Sequence, residues 1–113
     1  MGESVIKAVL KCGHTPVVAG EIHTISEATI RAFSEHHDKN IDVVRFDGHP
    51  DLMDNYKGDR HYCGCPMRPL IESGHIDPKK VAFLGLRGFA NAAGGIKYRP
   101  GSGRAFLYNG GVL

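Results

Sequence analysis

Three side chains of metal-ligand type fall within five residues, Asp47-Gly48-His49-Pro50-Asp51, directly after the apolar run IDVVRF at 41–46. Side chains alternate along an extended segment, so Asp47, His49 and Asp51 are expected to project to one side. If 41–46 is a strand, that side lies at its carboxyl end, where open α/β sheets bind ligands. Pro50 has no amide hydrogen and turns the chain out of the sheet. Two carboxylates and an imidazole suit Mn²⁺, Fe²⁺ or Zn²⁺ better than a thiolate-seeking metal. The same residues also read as a solvated Asp/Gly turn, and the motif alone does not separate the two. His23 weighs on the side of a metal. A single histidine before a helix more often makes a hydrogen bond than a metal bond. At the end of an adjacent parallel strand, however, His23 would reach the edge that carries Asp47.

The elements that must position these groups follow from local patterning. TPVVA at 15–19 is β-branched and flanked by glycine, which predicts a strand. Thr24 and Glu27 have capping-box spacing. Ile25, Ala28, Ala32 and Phe33 then form a helical stripe to about His37, with His36 and His37 capping its polar end. IDVVRF is the second expected strand. Pro66 opens a short helix through Ser73, with Gly74 placed to end it, and VAFLGL at 81–86 is the third strand. Strands alternating with helices predict a parallel α/β sheet with helices on its faces.

Composition narrows the class. The 113 residues carry 14 basic and 12 acidic side chains, so the chain is close to neutral. That length corresponds to one domain. No apolar run approaches the roughly 18 residues of a membrane span, and the N-terminus lacks the apolar core of a signal peptide. Cys12, Cys63 and Cys65 make no disulfide framework, which points to a reducing cytoplasm. Cys63-x-Cys65 has the wrong spacing for a zinc site. All 12 acids lie at or before Asp77, whereas 78–113 holds six bases and seven of the 15 glycines lie at or after Gly88. Residues 1–88 therefore read as the patterned part of a domain and 89–113 as a Gly-rich basic segment. A tail, or a chain diverted from a larger domain, are both compatible with it. Its bases interleave with Tyr98, Phe106 and Tyr108, as in single-strand binders, but a pI of about 8.5 argues against nucleic acid as the partner.

Taken in order, the motifs resemble the ureohydrolase family of arginases and agmatinases, above all its agmatinase and guanidinobutyrase branch. Gly20-Glu21-Ile22-His23-Thr24 stands where that family has Gly-Gly-Asp-His-Ser, and Asp47-Gly48-His49-Pro50-Asp51 where it has Asp-Ala-His-x-Asp. Tyr56, Gly58, Gly64-Cys65-Pro66-Met67-Arg68 and IESGHIDPKKVAFLGLRG continue the likeness over roughly 14–88. The resemblance implies an arginase-like three-layer fold, here incomplete. It also implies a two-manganese hydrolase that cleaves a guanidino compound to urea and an amine, in an oligomer. His23 and Asp51 would hold one Mn²⁺, His49 the other, and Asp47 both. The chemical need is clear, since a guanidinium carbon is a poor electrophile and two cations make water a better nucleophile.

Departures from the family pattern set further expectations. Its Ser-x-Asp-x-Asp motif, which supplies two more carboxylates, does not occur before Leu113, so one weakly held ion is expected instead of two. Ile22 replaces a carboxylate that would support the first motif, although Glu21 beside it offers another. Cys63 stands where the family has a histidine, and His61 lies two residues earlier. Either would be a candidate for proton handling beside the catalytic Asp47, and ordinary loop residues are the plainer reading of both. Three functions stay open: an agmatinase-like amidinohydrolase present as its N-terminal portion, a non-catalytic metal-binding relative, or a small nucleic-acid-binding module.

Overall fold

The computed structural model describes residues 2–20, 22–87, 106–108 and 111–112. Helix α1 (Gly2–Lys11) is followed by α2 (Ile25–His36), strand β1 (Val43–Phe46) and α3 (Met67–Glu72). A 3-10 turn (Pro78–Lys80) then leads into β2 (Val81–Leu86), and the short strands β3 (Phe106–Tyr108) and β4 (Gly111–Val112) complete the order. The sheet runs β1-β2-β3-β4. β1 pairs parallel to β2 with Val43 opposite Val81, β2 is parallel to β3, and β4 turns back antiparallel. This is the expected parallel α/β arrangement. β3 and β4 fall in the Gly-rich segment where no strand was expected, and most of that segment lies outside the described residues.

Alternation along β1 and β2 explains which face is buried. Val43, Val81 and Phe83 turn toward α2 and α3, where they pack with Ile30, Leu52, Met67, Leu70 and Ile76. Full burial of a side chain the size of Leu70 contributes about 1.5–3 kcal/mol. Gly85, at φ +91°, permits the irregularity between Leu84 and Leu86 that returns Leu86 to the buried side. The opposite face is different. Val44 and Phe46 are 57% and 82% exposed, although parallel sheets are usually covered on both faces. All described helices lie to one side of this sheet or on one another.

Helix α1 was not foreseen from the patterning. It buries only Ile6 and Leu10, which meet Ala32 and Phe33 of α2 in a second small core. Its polar face carries Lys7, bonded to both Glu3 and Glu35 at 2.7 Å. Glu35 in turn reaches His75 Nε2 at 3.2 Å, and His75 Nδ1 meets the Ser73 hydroxyl at 2.7 Å. The Ser34 hydroxyl donates to the His75 carbonyl. This chain of contacts fastens α1, α2 and the end of α3. Gly74, at φ +70°, ends α3 as expected: its amide and that of His75 donate to the Ile71 and Leu70 carbonyls.

Two local expectations fail. Residues 14–20 form no strand, and Val17 is 95% exposed. β1 is an outer strand of the described sheet, and β-branched residues without a ladder partner gain nothing from being extended. The capping box at Thr24 is also not formed. Thr24 already has helical angles, φ −57° and ψ −21°, and makes no side-chain cap. A capping residue needs extended geometry. The carbonyls of Ile22, His23 and Thr24 accept the first helical amides instead. Glu27 is thereby free to bond Arg31 at 2.8 Å and His61 at 3.0 Å.

Candidate metal centre

β1 delivers its last side chains to one end of the sheet. The Asp47 amide still donates to Leu84, as a last rung of the ladder, and the Gly48 carbonyl accepts from Arg87. Beyond that the chain turns. The His49 amide donates to Asp47 Oδ1 at 2.9 Å, which folds 47–49 into a tight loop. Asp51 adopts φ +50°, an angle Asp tolerates better than most residues. Its carbonyl accepts the Met67 amide at the start of α3. The loop is therefore pinned at both ends by packed elements.

His23, Asp47 and Asp51 come together. One ligand-type atom from each lies within 4.8 Å of the others. His23 Nδ1 stands 2.7 Å from Asp51 Oδ2 and 3.8 Å from Asp47 Oδ2. Asp51 is buried, while His23 and Asp47 are partly exposed toward a cavity of about 350 Å³. His49 lines that cavity, but the turn carries it outward: it is 56% exposed, with Nδ1 3.7 Å from Asp47 Oδ1. The expected convergence of four ligands is thus a group of three with His49 at its rim. Cys63 lines the cavity with Met53, Tyr62 and Gly64. His61 does not. It is largely exposed and bonded to Glu27 of α2. Ile22 is exposed as well, and Glu21 lies outside the described residues.

The residue that sequence reading passed over is Arg45. It is 8% exposed. Its Nη2 donates to Asp51 Oδ2 at 2.6 Å and to Asp47 Oδ2 at 2.7 Å, and stands 3.1 Å from His23 Nε2. Nη1 makes a longer bond, 3.3 Å, to the Pro50 carbonyl. Burial alone would raise the Asp47 carboxyl. The His49 amide and the Arg45 guanidinium, helped by His23, outweigh it and hold the group below the usual carboxylate range. The signal for Arg45 was present, since it stands two residues before Asp47 on the same strand face.

In donor chemistry the trio suits a hard or borderline divalent cation: two carboxylate oxygens and an imidazole nitrogen, close enough to share one ion. A cation already stands among them in the form of a guanidinium nitrogen. The site thus favours positive charge.

Comparison with known proteins identifies the family and the fold. The model of the Arginase family matches residues 2–103. Mitochondrial agmatinase of Gallus gallus is 30% identical over 90 residues, covering 80% of this chain and 26% of its own. Among solved structures, proclavaminate amidino hydrolase of Streptomyces clavuligerus superposes with a TM-score of 0.76 at 27% identity, over 95% of this chain and 35% of that one. A variant of Trypanosoma cruzi formiminoglutamase solved with Mn²⁺ superposes with a TM-score of 0.71 at 28% identity, over 77% and 29%. The chain spans about a quarter to a third of the length of these relatives. With a family match over nearly all its residues, and the arginase fold around a His/Asp/Asp cluster, the chain belongs to the Arginase family.

Proposed function

We propose that this chain carries the first metal-holding corner of an amidinohydrolase that converts an agmatine-like guanidino compound to urea and an amine. The observation that carries this reading is the convergence of His23, Asp47 and Asp51 beside an open cavity in a chain of the Arginase family. His23, Asp47 and Asp51 would hold one divalent ion, Mn²⁺ by family likeness, with His49 available from the rim. Such an ion supplies Lewis acidity toward water and the guanidino group. The residues themselves do the rest. His23 sets Nδ1 against Asp51 Oδ2 and Nε2 toward Arg45, so a ring nitrogen is within reach of an ion held by the two carboxylates. The carboxylates of Asp47 and Asp51 attract cations, guanidinium groups included, as their contacts with Arg45 illustrate. Met53, Tyr62 and Cys63 also line the cavity. Three unpaired cysteines suit a reducing compartment such as the cytoplasm.

A second reading, a non-catalytic metal-binding relative, is favoured by one observation: among the described residues three donors converge, and a guanidinium already bonds two of them. For the isolated 113 residues this reading prevails, and negligible turnover is expected. Calorimetric titration with Mn²⁺ should give weak single-site binding that Asp47→Ala reduces at least tenfold. Urea release from agmatine or arginine should stay at the buffer rate. Absence of any binding would overturn the metal reading. Chelator-sensitive turnover proportional to chain concentration would overturn the inactivity of the chain alone.

A further inference from the structure

We propose that Arg45 is the resident cation of this centre, and that a divalent ion enters only by displacing its guanidinium from Asp47 and Asp51. The proposal rests on the metal-binding reading above and adds a residue that opposes it.

Geometry identifies the shared position. The oxygens that would ligate an ion, Oδ2 of Asp47 and Oδ2 of Asp51, both bond the same nitrogen, Arg45 Nη2, at 2.7 and 2.6 Å. The His23 ring completes the circle at 3.1 Å from that atom. An ion ligated by these three residues would have to stand where Nη2 now stands. The two cannot share the space, and their charges repel. Burial explains why the arrangement is stable without metal. Asp51 and Arg45 are each 8% exposed, and a buried carboxylate left without a partner is strongly disfavoured. Arg45 neutralises one of the two negative charges and bonds both carboxylates, so the cluster is formed before any ion arrives.

The choice of arginine matters. A lysine could lose its proton to admit a second cation, but a guanidinium stays charged throughout the accessible range. The exchange must therefore be a movement. Among the described residues Nη1 meets the Pro50 carbonyl, at 3.3 Å, a longer bond than those of Nη2 to the carboxylates that an ion would claim. Positive charge is traded for positive charge, and metal affinity is lowered by the stability of the pairs that must be broken.

The test is Mn²⁺ titration by calorimetry on the full chain, comparing the parent with Arg45→Met, which keeps the aliphatic stem and removes the charge. Affinity should tighten tenfold or more, equivalent to about 1.4 kcal/mol. Thermal unfolding gives a second readout: the parent should melt at nearly the same temperature in chelator and in millimolar Mn²⁺, whereas Arg45→Met should melt lower in chelator and recover with Mn²⁺. Arg45→Gln, which retains amide donors toward the carboxylates, is titrated in parallel and must meet the same tenfold criterion should the methionine variant fail to fold. Equal affinity of parent and folded variant would overturn the role of Arg45 while leaving the metal site intact. Absence of Mn²⁺ binding in parent and variants alike would overturn both readings.

Discussion

Asp51→Asn should destabilise the metal-free chain by about 2–3 kcal/mol, more than the same change at Asp47. Asp51 is buried, accepts a short bond from Arg45 at 2.6 Å and lies 2.7 Å from His23 Nδ1 in ionic contact. Hydrogen bonds to charged groups contribute about 1.5–3 kcal/mol against about 0.5–1.5 for neutral ones, so the Arg45 bond loses roughly 1–1.5 kcal/mol when the carboxylate becomes an amide, and loss of the close ionic contact with His23 at a buried site adds about as much. Asn keeps the shape and accepts φ +50° at least as readily as Asp, so no backbone penalty enters. Complete loss of a partner for a buried charge would cost about 3–5 kcal/mol, but Arg45 retains Asp47 at 2.7 Å. At Asp47→Asn the bonds from Arg45 at 2.7 Å and the His49 amide at 2.9 Å are weakened, but the carboxylate is 28% exposed and solvent screens both, so about 1 kcal/mol in all is expected. Urea unfolding followed by circular dichroism in chelator measures both, and a melting shift of roughly 8–12 °C should accompany Asp51→Asn. Equal costs at the two positions, or a change under about 0.5 kcal/mol at Asp51, would refute the assignment of Asp51 as the buried anchor.

The one-sided sheet and the shifted carboxylates carry two more expectations. Leu70→Ala, at a fully buried site, should cost about 2–5 kcal/mol, while Phe46→Ser, 82% exposed, should stay within about 0.5 kcal/mol; comparable losses in urea unfolding would mean that both faces of the sheet are covered. Glu35, lowered by Lys7 and His75, Glu72, lowered by Arg68 and Arg60, and Asp47 all sit below their ordinary values. Their stabilisation is therefore fully present above the unfolded carboxylate range of about 3.9–4.3 and is lost as pH falls through the lower folded values. Stability measured from pH 6 downward should hold steady until that range and then drop, and a loss beginning above pH 5 would point to other groups.

Much of the scaffold was legible because it obeys local rules. The β-branched runs at 43–46 and 81–86 became paired parallel strands, and Gly74 ended α3. What local rules could not supply was partnership. TPVVA has the composition of a strand, yet a strand exists only against a neighbour, and no described strand flanks the outer edge of β1. Helix α1 shows the converse. Val5, Ile6, Val9 and Leu10 recur at helical spacing, so its signal was present in the sequence, but its place is set by Ala32 and Phe33 of α2, which meet Ile6 and Leu10, and by the Lys7–Glu35 pair. Likewise Glu27 has the spacing of a capping box and is claimed instead by Arg31 and His61, a contact 34 residues distant in sequence.

The metal cluster illustrates the same limit more sharply. Alternation correctly brings Asp47 into line with the buried face of β1, and by the same step of two it brings Arg45 there as well. Applied backward from Asp47, the rule would have found the guanidinium. Applied forward, it fails, because β1 ends at Phe46 and the His49 amide folds back on Asp47 Oδ1. His49 is consequently turned to the rim, whereas Asp51 returns to the cluster through a backbone at φ +50° rather than through any extended periodicity. Asp51 was placed rightly for a reason that does not hold in the folded chain. The family likeness gives His23, Asp47, His49 and Asp51 as expected ligands from shared motifs, and on that basis it could not weigh a cation contributed by the strand itself. A motif thus fixes which groups are near one another, while the charge already among them decides how readily an ion is admitted. In this chain that charge is Arg45.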